Sequence, residues 1–271
     1  MDLLANLISA TLVDHSSPLV KSRLDLRHHS FTLTYRTMHT LGLIGGMSWE
    51  STAVYYKAIN DRIKERLGGL HSSKCIVYSF DFHEIEQLQQ AGDWSKAGHL
   101  LGKAASGLKQ CGADAIVICT NTMHKLADTV ELHGGLPVLH IADATAAEIN
   151  AYGLKKVGLL GTRYTMEQDF YKGRLVQKHG LEVFVPDVHE REVVHDVIYE
   201  ELCNGVVTAE SREKYVGIIK SLQERGAQGV ILGCTEIGLL VKDADVKHFN
   251  MRLFDTTMIH AKSAADWCID G

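Results

Sequence analysis

The chain has 271 residues, of which 45% are hydrophobic and 23% are charged, as is typical of a soluble globular protein with a sizeable core. A formal net charge of −5 supplies no basic face, so we expect no nucleic-acid partner. No apolar run approaches the roughly 20 residues that span a bilayer, and we therefore expect no membrane insertion. Six cysteines without a CxxC pair indicate reduced thiols and a cytoplasmic location.

The first 38 residues differ from the rest of the chain. An apolar stretch from Leu3 to Val13 has no basic segment before it, and Asp2 and Asp14 flank it, so a secretory signal fits poorly. The same acidic residues oppose a transit segment. We predict that residues 1–38 form a disordered extension, or precede a functional start at Met38, and we exclude them from the fold.

Short apolar strands alternate with helices through the first half of the chain. Ser48 is a suitable N-cap for the first helix, and Gly68 and Gly69 suit its end. An acidic turn is expected at residues 81–85. The predicted strands are 40–44, 75–80, 115–119 and 138–141, and the predicted helices are 48–67, 94–110, 124–132 and 144–152.

The second half follows the same order. Its predicted strands are 156–160, 182–186 and 229–232, and its predicted helices are 166–179, 192–204 and 209–224. Strands and helices that alternate at this density favour parallel sheets. The predicted fold class is α/β.

Two internal repeats relate the halves. The segment LGLIGG at 41–46 matches VGLLGT at 157–162, and Tyr55 and Tyr171 continue the match at a separation of 116 residues. Thr120 and Cys234 occupy equivalent positions 114 residues apart. We therefore predict two pseudo-symmetric domains, each a parallel sheet flanked by helices, with the active site in the cleft between them. Domain 1 comprises residues 39–137 plus 252–271, and domain 2 comprises residues 138–251.

Polar clusters follow four of the strands, at residues 45–51, 120–122, 161–165 and 234–236. Ligands bind beyond the carboxyl ends of parallel strands, so the pseudo-symmetry would place Thr120 and Cys234 on opposite walls of one cleft. At a helix start, the helix dipole and free N–H groups lower the pKa of a thiol. Cys234 is therefore a candidate nucleophile or base, although a packing role is the alternative.

Other chemistries have weaker support. There is no HExxH and no closely spaced His and Cys set, so we predict no metal site. Neither a dinucleotide loop nor a P-loop is present, and the turn at 42–46 is better suited to binding a carboxylate through backbone N–H groups. No motif singles out a base among the fifteen histidines.

Three ordered motifs, GGMSWEST at 45–52, TNTMH at 120–124 and GCTE at 233–236, resemble the signature segments of the aspartate/glutamate racemase family. The resemblance covers the chain from about Met38 to its end. It implies a cofactor-independent enzyme, usually a homodimer, that binds a small amino acid and exchanges its α-proton through two residues on opposite faces of Cα. On this basis the catalytic residues would be Cys234 and Thr120, and the substrate-binding residues would be Met47, Ser48, Asn121, Thr122, Thr162, Thr165, Thr235 and Glu236.

The sequence departs from the family pattern at one catalytic position. Family members commonly have Cys-Asn-Thr in the first half, whereas this chain has Thr120-Asn121-Thr122, with a cysteine only at Cys119. Adjacent strand residues face opposite sides, so Cys119 should point away from the ligand. We hypothesise that Cys234 carries the thiolate chemistry and that Thr120 donates or relays a proton, which would make racemisation slow or unequal between enantiomers.

The substrate side chain is left open by the sequence. Aspartate or glutamate is the default that the resemblance implies, and a broader set of amino acids is the alternative. Arg62, Arg66, Arg163 and Lys172 could bind a distal carboxylate, although each is also a suitable surface charge. Decarboxylation or cis-trans isomerisation of small dicarboxylates with Cys234 alone, and amino-acid binding without catalysis, are the other functions considered.

Overall fold

The computed structural model describes residues 38–271, so the predicted extension lies outside the described residues except for Met38. Within this range the strands are β1 (Leu41–Gly45), β2 (Cys75–Ser79), β3 (Ala115–Ile118), β4 (Lys156–Gly161), β5 (Glu182–Phe184), β6 (Gly229–Gly233) and β7 (Arg252–Asp255). The helices are α1 (Trp49–Leu67), α2 (Phe82–Gln90), α3 (Trp94–Gln110), α4 (Ala127–Gly134), α5 (Ile141–Ala151), α6 (Arg163–Glu167), α7 (Asp169–His179), α8 (Val188–Asp196), α9 (Ala209–Glu224), α10 (Ile237–Leu240), α11 (Asp243–Val246) and α12 (Thr256–Asp270).

The strands form two parallel sheets with equivalent strand orders. The first sheet has the order β2-β1-β3, and the second has the order β5-β4-β6-β7. Val138 forms an isolated parallel bridge to Ile116 of β3, at the place where β7 lies beside β6 in the second sheet. The predicted α/β class, with parallel sheets flanked by helices, is confirmed.

Each sheet is covered by helices on both faces, which explains the continuous apolar runs of its central strands. In β3, Ile116 and Ile118 pack with α3, whereas Val117 packs on the opposite face with α1 and α12. The second sheet has its own pair of cores, formed with α8 and α9 on one face and with α5 and α7 on the other. Among residues 38–271, no helix combines the length and apolarity needed to cross a membrane.

A glycine near the start of β1 and of β4 permits close packing. A Cβ on Gly42 would lie 3.0 Å from Ile116 Cδ1, and one on Gly158 would lie 2.8 Å from Leu222 Cδ1. Both separations are shorter than ordinary carbon contacts. The sequence repeat at 41–46 and 157–162 therefore corresponds to a repeated packing requirement in the two sheets.

Several predicted elements differ in the structure, and one of them is the helix expected at 166–179, which Gln168 divides into α6 and α7. Residues 81–85 were expected to form a turn, but Asp81 is the N-cap of α2 and residues 82–85 belong to that helix. The strand expected at 138–141 is reduced to the Val138 bridge, because His140 is the N-cap of α5. The helix expected at 192–204 begins at Val188, and after α8 it continues as a π turn (Val197–Glu201) and a 3-10 turn (Leu202–Asn204).

The C-terminal segment is divided between the two sheets. Residues 252–255, which the predicted boundaries assign to domain 1, form β7 and pair with β6 of the second sheet. Helix α12, which follows directly, shares a core with α1 and the first sheet. The chain therefore crosses back to the first sheet after β7.

Candidate active site

The carboxyl ends of the central strands surround a small cavity of about 30 Å³, which we call the inner cavity. Eight of the ten predicted site residues line it, namely Met47, Thr120, Asn121, Thr122, Thr162, Cys234, Thr235 and Glu236. Thr120 follows β3 of the first sheet, and Cys234 follows β6 of the second. The two predicted catalytic residues thus share one cavity but come from different sheets.

The two remaining predicted residues, Ser48 and Thr165, do not line the cavity themselves, but each is hydrogen-bonded to a residue that does. Ser48 caps α1, and its hydroxyl donates to Glu236 Oε1 at 2.8 Å. Thr165 Oγ1 lies 3.2 Å from Thr162 Oγ1. Both residues are placed to orient side chains that reach the cavity.

Cys234 and Glu236 form a hydrogen-bonded pair. The thiol of Cys234 donates to Glu236 Oε2 at 3.0 Å, and the hydroxyl of Thr235 donates to the same oxygen at 2.5 Å. Burial raises the pKa of the Cys234 thiol well above its usual range, and the negative charge of Glu236 raises it further.

The expectation that Cys234 has a lowered pKa is therefore wrong. Helix α10 has only four residues and begins at Ile237, three positions after the thiol. Its dipole is weak and is opposed by a carboxylate in direct contact with the sulfur.

Thr120 is partly buried in the cavity wall, whereas Cys119 is fully buried in the core between the first sheet and α1. The two side chains thus lie on opposite sides of the strand end, as alternation requires. The backbone at Thr120 is held by His124, whose Nδ1 lies 2.8 Å from the Thr120 carbonyl oxygen. His124 Nε2 accepts the Ile141 N–H at 3.2 Å, so Nδ1 carries the proton and donates it. Burial lowers the pKa of His124, and this histidine is a neutral support for the loop.

Asn121 presents a buried acceptor that lacks a partner among the described residues. Its Nδ2 donates to Thr256 Oγ1 at 3.0 Å, and the Thr256 hydroxyl donates to the Leu232 carbonyl at 2.8 Å. Because the Thr256 proton is used in this way, Thr256 can only accept from Asn121, which fixes the amide orientation. Asn121 Oδ1 is left buried and unsatisfied beside the cavity. Such an atom is suited to accept a hydrogen bond from a ligand.

Hydroxyl groups join the two halves across the cavity. Thr122 Oγ1 and Thr162 Oγ1 are 3.0 Å apart, and Thr162 caps α6. With the Ser48 to Glu236 bond, this contact links the first sheet's loops to those of the second. These contacts restrict the cavity to a small volume.

Several lining residues were not predicted from the sequence. Phe82 and Gln89 come from α2, whereas Ile198, Tyr199 and Cys203 come from the turns after α8. For the two residues of α2 the sequence did contain a signal, because Asp81 is a good N-cap directly before the apolar spacing of that helix. The π turn had no such signal, and it places Tyr199 where its hydroxyl donates to Gln89 Oε1 at 3.2 Å.

Comparisons with known proteins agree with this architecture. A model of the Asp/Glu/hydantoin racemase family matches residues 44–264. The chain belongs to this racemase family.

Individual relatives extend over nearly the same part of this racemase-family chain. A crystal structure of a candidate Asp/Glu racemase from Yersinia pestis is 59% identical, with a TM-score of 0.81 over 86% of this chain and 100% of that one. PH1733, an aspartate racemase homologue from Pyrococcus horikoshii OT3, is 37% identical, with a TM-score of 0.73 over 85% and 99% of the two chains. The broad specificity amino-acid racemase RacX of Bacillus subtilis is 26% identical over 82% of this chain and 95% of its own length. The family resemblance read from the three motifs is confirmed.

Proposed function

We propose that the protein is a cofactor-independent amino-acid racemase in which Cys234 and Thr120 act on opposite faces of the substrate Cα. The observation that carries the proposal is that both side chains line one cavity, and that each comes from a different sheet. Inversion of a carbon centre needs a proton to leave on one face and to return on the other. Two groups placed on opposite walls of one cavity would meet that requirement.

The substrate α-ammonium would bind between Glu236 and Asn121 Oδ1. Glu236 is the only charged side chain among the described residues that line the inner cavity. Among the described residues that line the cavity, Asn121 has a buried acceptor, Oδ1, without a partner. The α-carboxylate would be held by the hydroxyls of Thr122 and Thr162, which otherwise bond to each other.

Proton transfer would begin at Cys234. When the substrate ammonium neutralises the charge of Glu236, the pKa of the Cys234 thiol falls, its proton is released to solvent, and the resulting thiolate takes the α-proton. The carbanion is then protonated from the opposite face by the Thr120 hydroxyl, which takes up a replacement proton from solvent. Because a hydroxyl is a weaker acid and a much poorer base than a thiol at neutral pH, we expect unequal rates for the two enantiomers.

The test is α-proton exchange in D₂O, measured separately from each enantiomer of a panel of amino acids by NMR and chiral chromatography. Cys234→Ser and Thr120→Val should each lower exchange by about 10²-fold or more, with different ratios for the L and D forms. Cys111→Ser, an exposed cysteine, is the matched control and should retain exchange.

Cys119→Ser separates the two assignments of the second residue. It should retain exchange if Thr120 is the partner of Cys234, because the Cys119 side chain faces the core. Loss of exchange in a folded Cys119→Ser variant, with exchange retained in Thr120→Val, would show that the partner is misassigned. Full exchange in Cys234→Ser would overturn the proposal itself.

A further inference from the structure

Among the described residues, none supplies the inner cavity with a cationic group for a distal carboxylate. None of the lysines or arginines of residues 38–271 lines it. The four candidates named from the sequence line neither this cavity nor the larger one beside it. Arg62 and Arg66 are paired with Asp266 on the surface of α1 and α12, Arg163 is exposed, and Lys172 lies on α7. An acidic side chain would thus enter a cavity whose one charged neighbour, Glu236, is itself negative.

The approach to the cavity is also acidic. A larger cavity of about 580 Å³, which we call the outer cavity, shares Phe82, Gln89, Tyr199 and Cys203 with the inner one. Its lining includes the carboxylates of Glu86, Asp196 and Glu200 and, again among the described residues, no lysine or arginine. His195 adds no positive charge near neutral pH, because burial lowers its pKa.

The wall that the two cavities share is mostly apolar. Phe82 from α2, Tyr199 from the π turn and Cys203 belong to this wall, and Ile198 and Met47 add apolar surface to the inner cavity. Gln89 is occupied by its contacts with Tyr199 and Met123. This wall offers contact area to an uncharged side chain and no partner for a carboxylate.

We infer that the site accepts amino acids with uncharged side chains, directed toward Phe82, Ile198 and Tyr199, and discriminates against aspartate and glutamate. This inference rests on the proposed racemase function. It assigns the α-ammonium to Glu236 and the side chain to the end of the inner cavity that adjoins the outer one. Substrate selection then follows from charge, because negative groups line both the site and its approach.

Matched substrate pairs test the inference on the full chain. L-Gln and L-Glu have nearly the same shape and differ in charge, as do L-Asn and L-Asp. We expect kcat/KM for α-proton exchange to be at least about 10-fold higher for the amide of each pair, and L-Met to be accepted as well. The ratio of kcat/KM between each amide and its acid should decrease at high salt, because salt screens the charges of the exposed outer cavity.

A charge introduced at Cys203 provides a gain-of-function test. Cys203 is partly buried and lines both cavities, so Cys203→Lys should raise the Glu-to-Gln ratio of kcat/KM by about 10-fold, whereas the neutral Cys203→Met should leave the ratio nearly unchanged. An acid preferred over its amide in the unmodified protein would overturn the inference while leaving the racemase proposal intact. L-Lys as the best substrate would overturn it too, by placing the side chain against the outer carboxylates. No exchange with any amino acid would instead contradict the racemase proposal.

Discussion

Acidification should destabilise the protein through three buried histidines behind the active site. Burial lowers the pKa of His140 to about 3 and that of His260 to about 4, and it lowers the pKa of His124 as well. The rings are neighbours, with centroid separations from His124 of 4.7 Å to His140 and 5.5 Å to His260. Hydrogen bonds also favour the neutral form of these rings. In His260, for example, Nδ1 accepts from the Tyr55 hydroxyl and Nε2 donates to the Leu139 carbonyl.

The sign and size follow from proton linkage. The folded-state pKa values lie below the unfolded value of about 6.5, so the unfolded chain binds more protons and stability is lost as pH falls below about 6.5. Between pH 7 and pH 5.5, one such histidine lowers the free energy of unfolding by about 1.2 kcal/mol, and three lower it by about 4 kcal/mol. This is a large part of a typical domain stability of roughly 5–15 kcal/mol. His195 acts in the same direction, because its pKa is also lowered.

Urea unfolding at several pH values, followed by far-UV circular dichroism, measures this loss. The slope of unfolding free energy against pH near pH 5.5 should be about 3.5 kcal/mol per pH unit. His260→Asn should reduce that slope by about one third, whatever its effect on stability at pH 7. His71→Asn, at an exposed position, should leave the slope unchanged. If the slope in the unmodified protein corresponded to the uptake of only one proton on unfolding, the reasoning that all three rings stay neutral in the folded state would be refuted.

Two further substitutions test the site and its support. Glu236→Gln removes the negative charge that raises the pKa of Cys234. Alkylation of that thiol by iodoacetamide, followed by peptide mass spectrometry, should therefore reach its half-maximal rate at a lower pH. An unchanged dependence of alkylation on pH would contradict the pairing of Cys234 with Glu236. Gly233→Ala would place a Cβ 2.7 Å from the Leu160 carbonyl oxygen and should lower the free energy of unfolding by more than about 2 kcal/mol. Gly217→Ala, in open space on α9, should be neutral or stabilising by up to about 1 kcal/mol, and equal effects of the two would contradict the close approach at Gly233.

The repeat explains how much of the site could be read from the sequence. Thr120 and Cys234 follow equivalent strands, so their common frame predicted that one residue from each half would meet the other. The same frame predicted Ser48 and Thr162 near the site, and each is the N-cap of the helix that follows a central strand. Periodicity also placed Cys119 on the core side of β3.

The remaining features depend on contacts that no local pattern encodes. Phe82 and Tyr199 lie outside the repeat, on a helix read as a turn and on a π turn inside a predicted helix. The raised pKa of Cys234 depends on the orientation of Glu236, which a hydrogen bond from Ser48 fixes across 188 residues of chain. Sequence reasoning placed the thiol at a helix start but could not show which charge would lie beside it.

The small volume of the inner cavity shows how substrate binding and thiol activation could be coupled. A volume of about 30 Å³ holds roughly one water molecule, so an amino acid can enter only if the contacts across the cavity separate. Two of those contacts, Ser48 to Glu236 and Thr122 to Thr162, occupy the groups that we assign to the substrate ammonium and carboxylate. An ammonium beside Glu236 would neutralise the charge that raises the pKa of Cys234. We therefore expect the thiolate to form only when an amino acid is bound, which would protect the empty site from oxidation and restrict proton abstraction to a correctly held substrate.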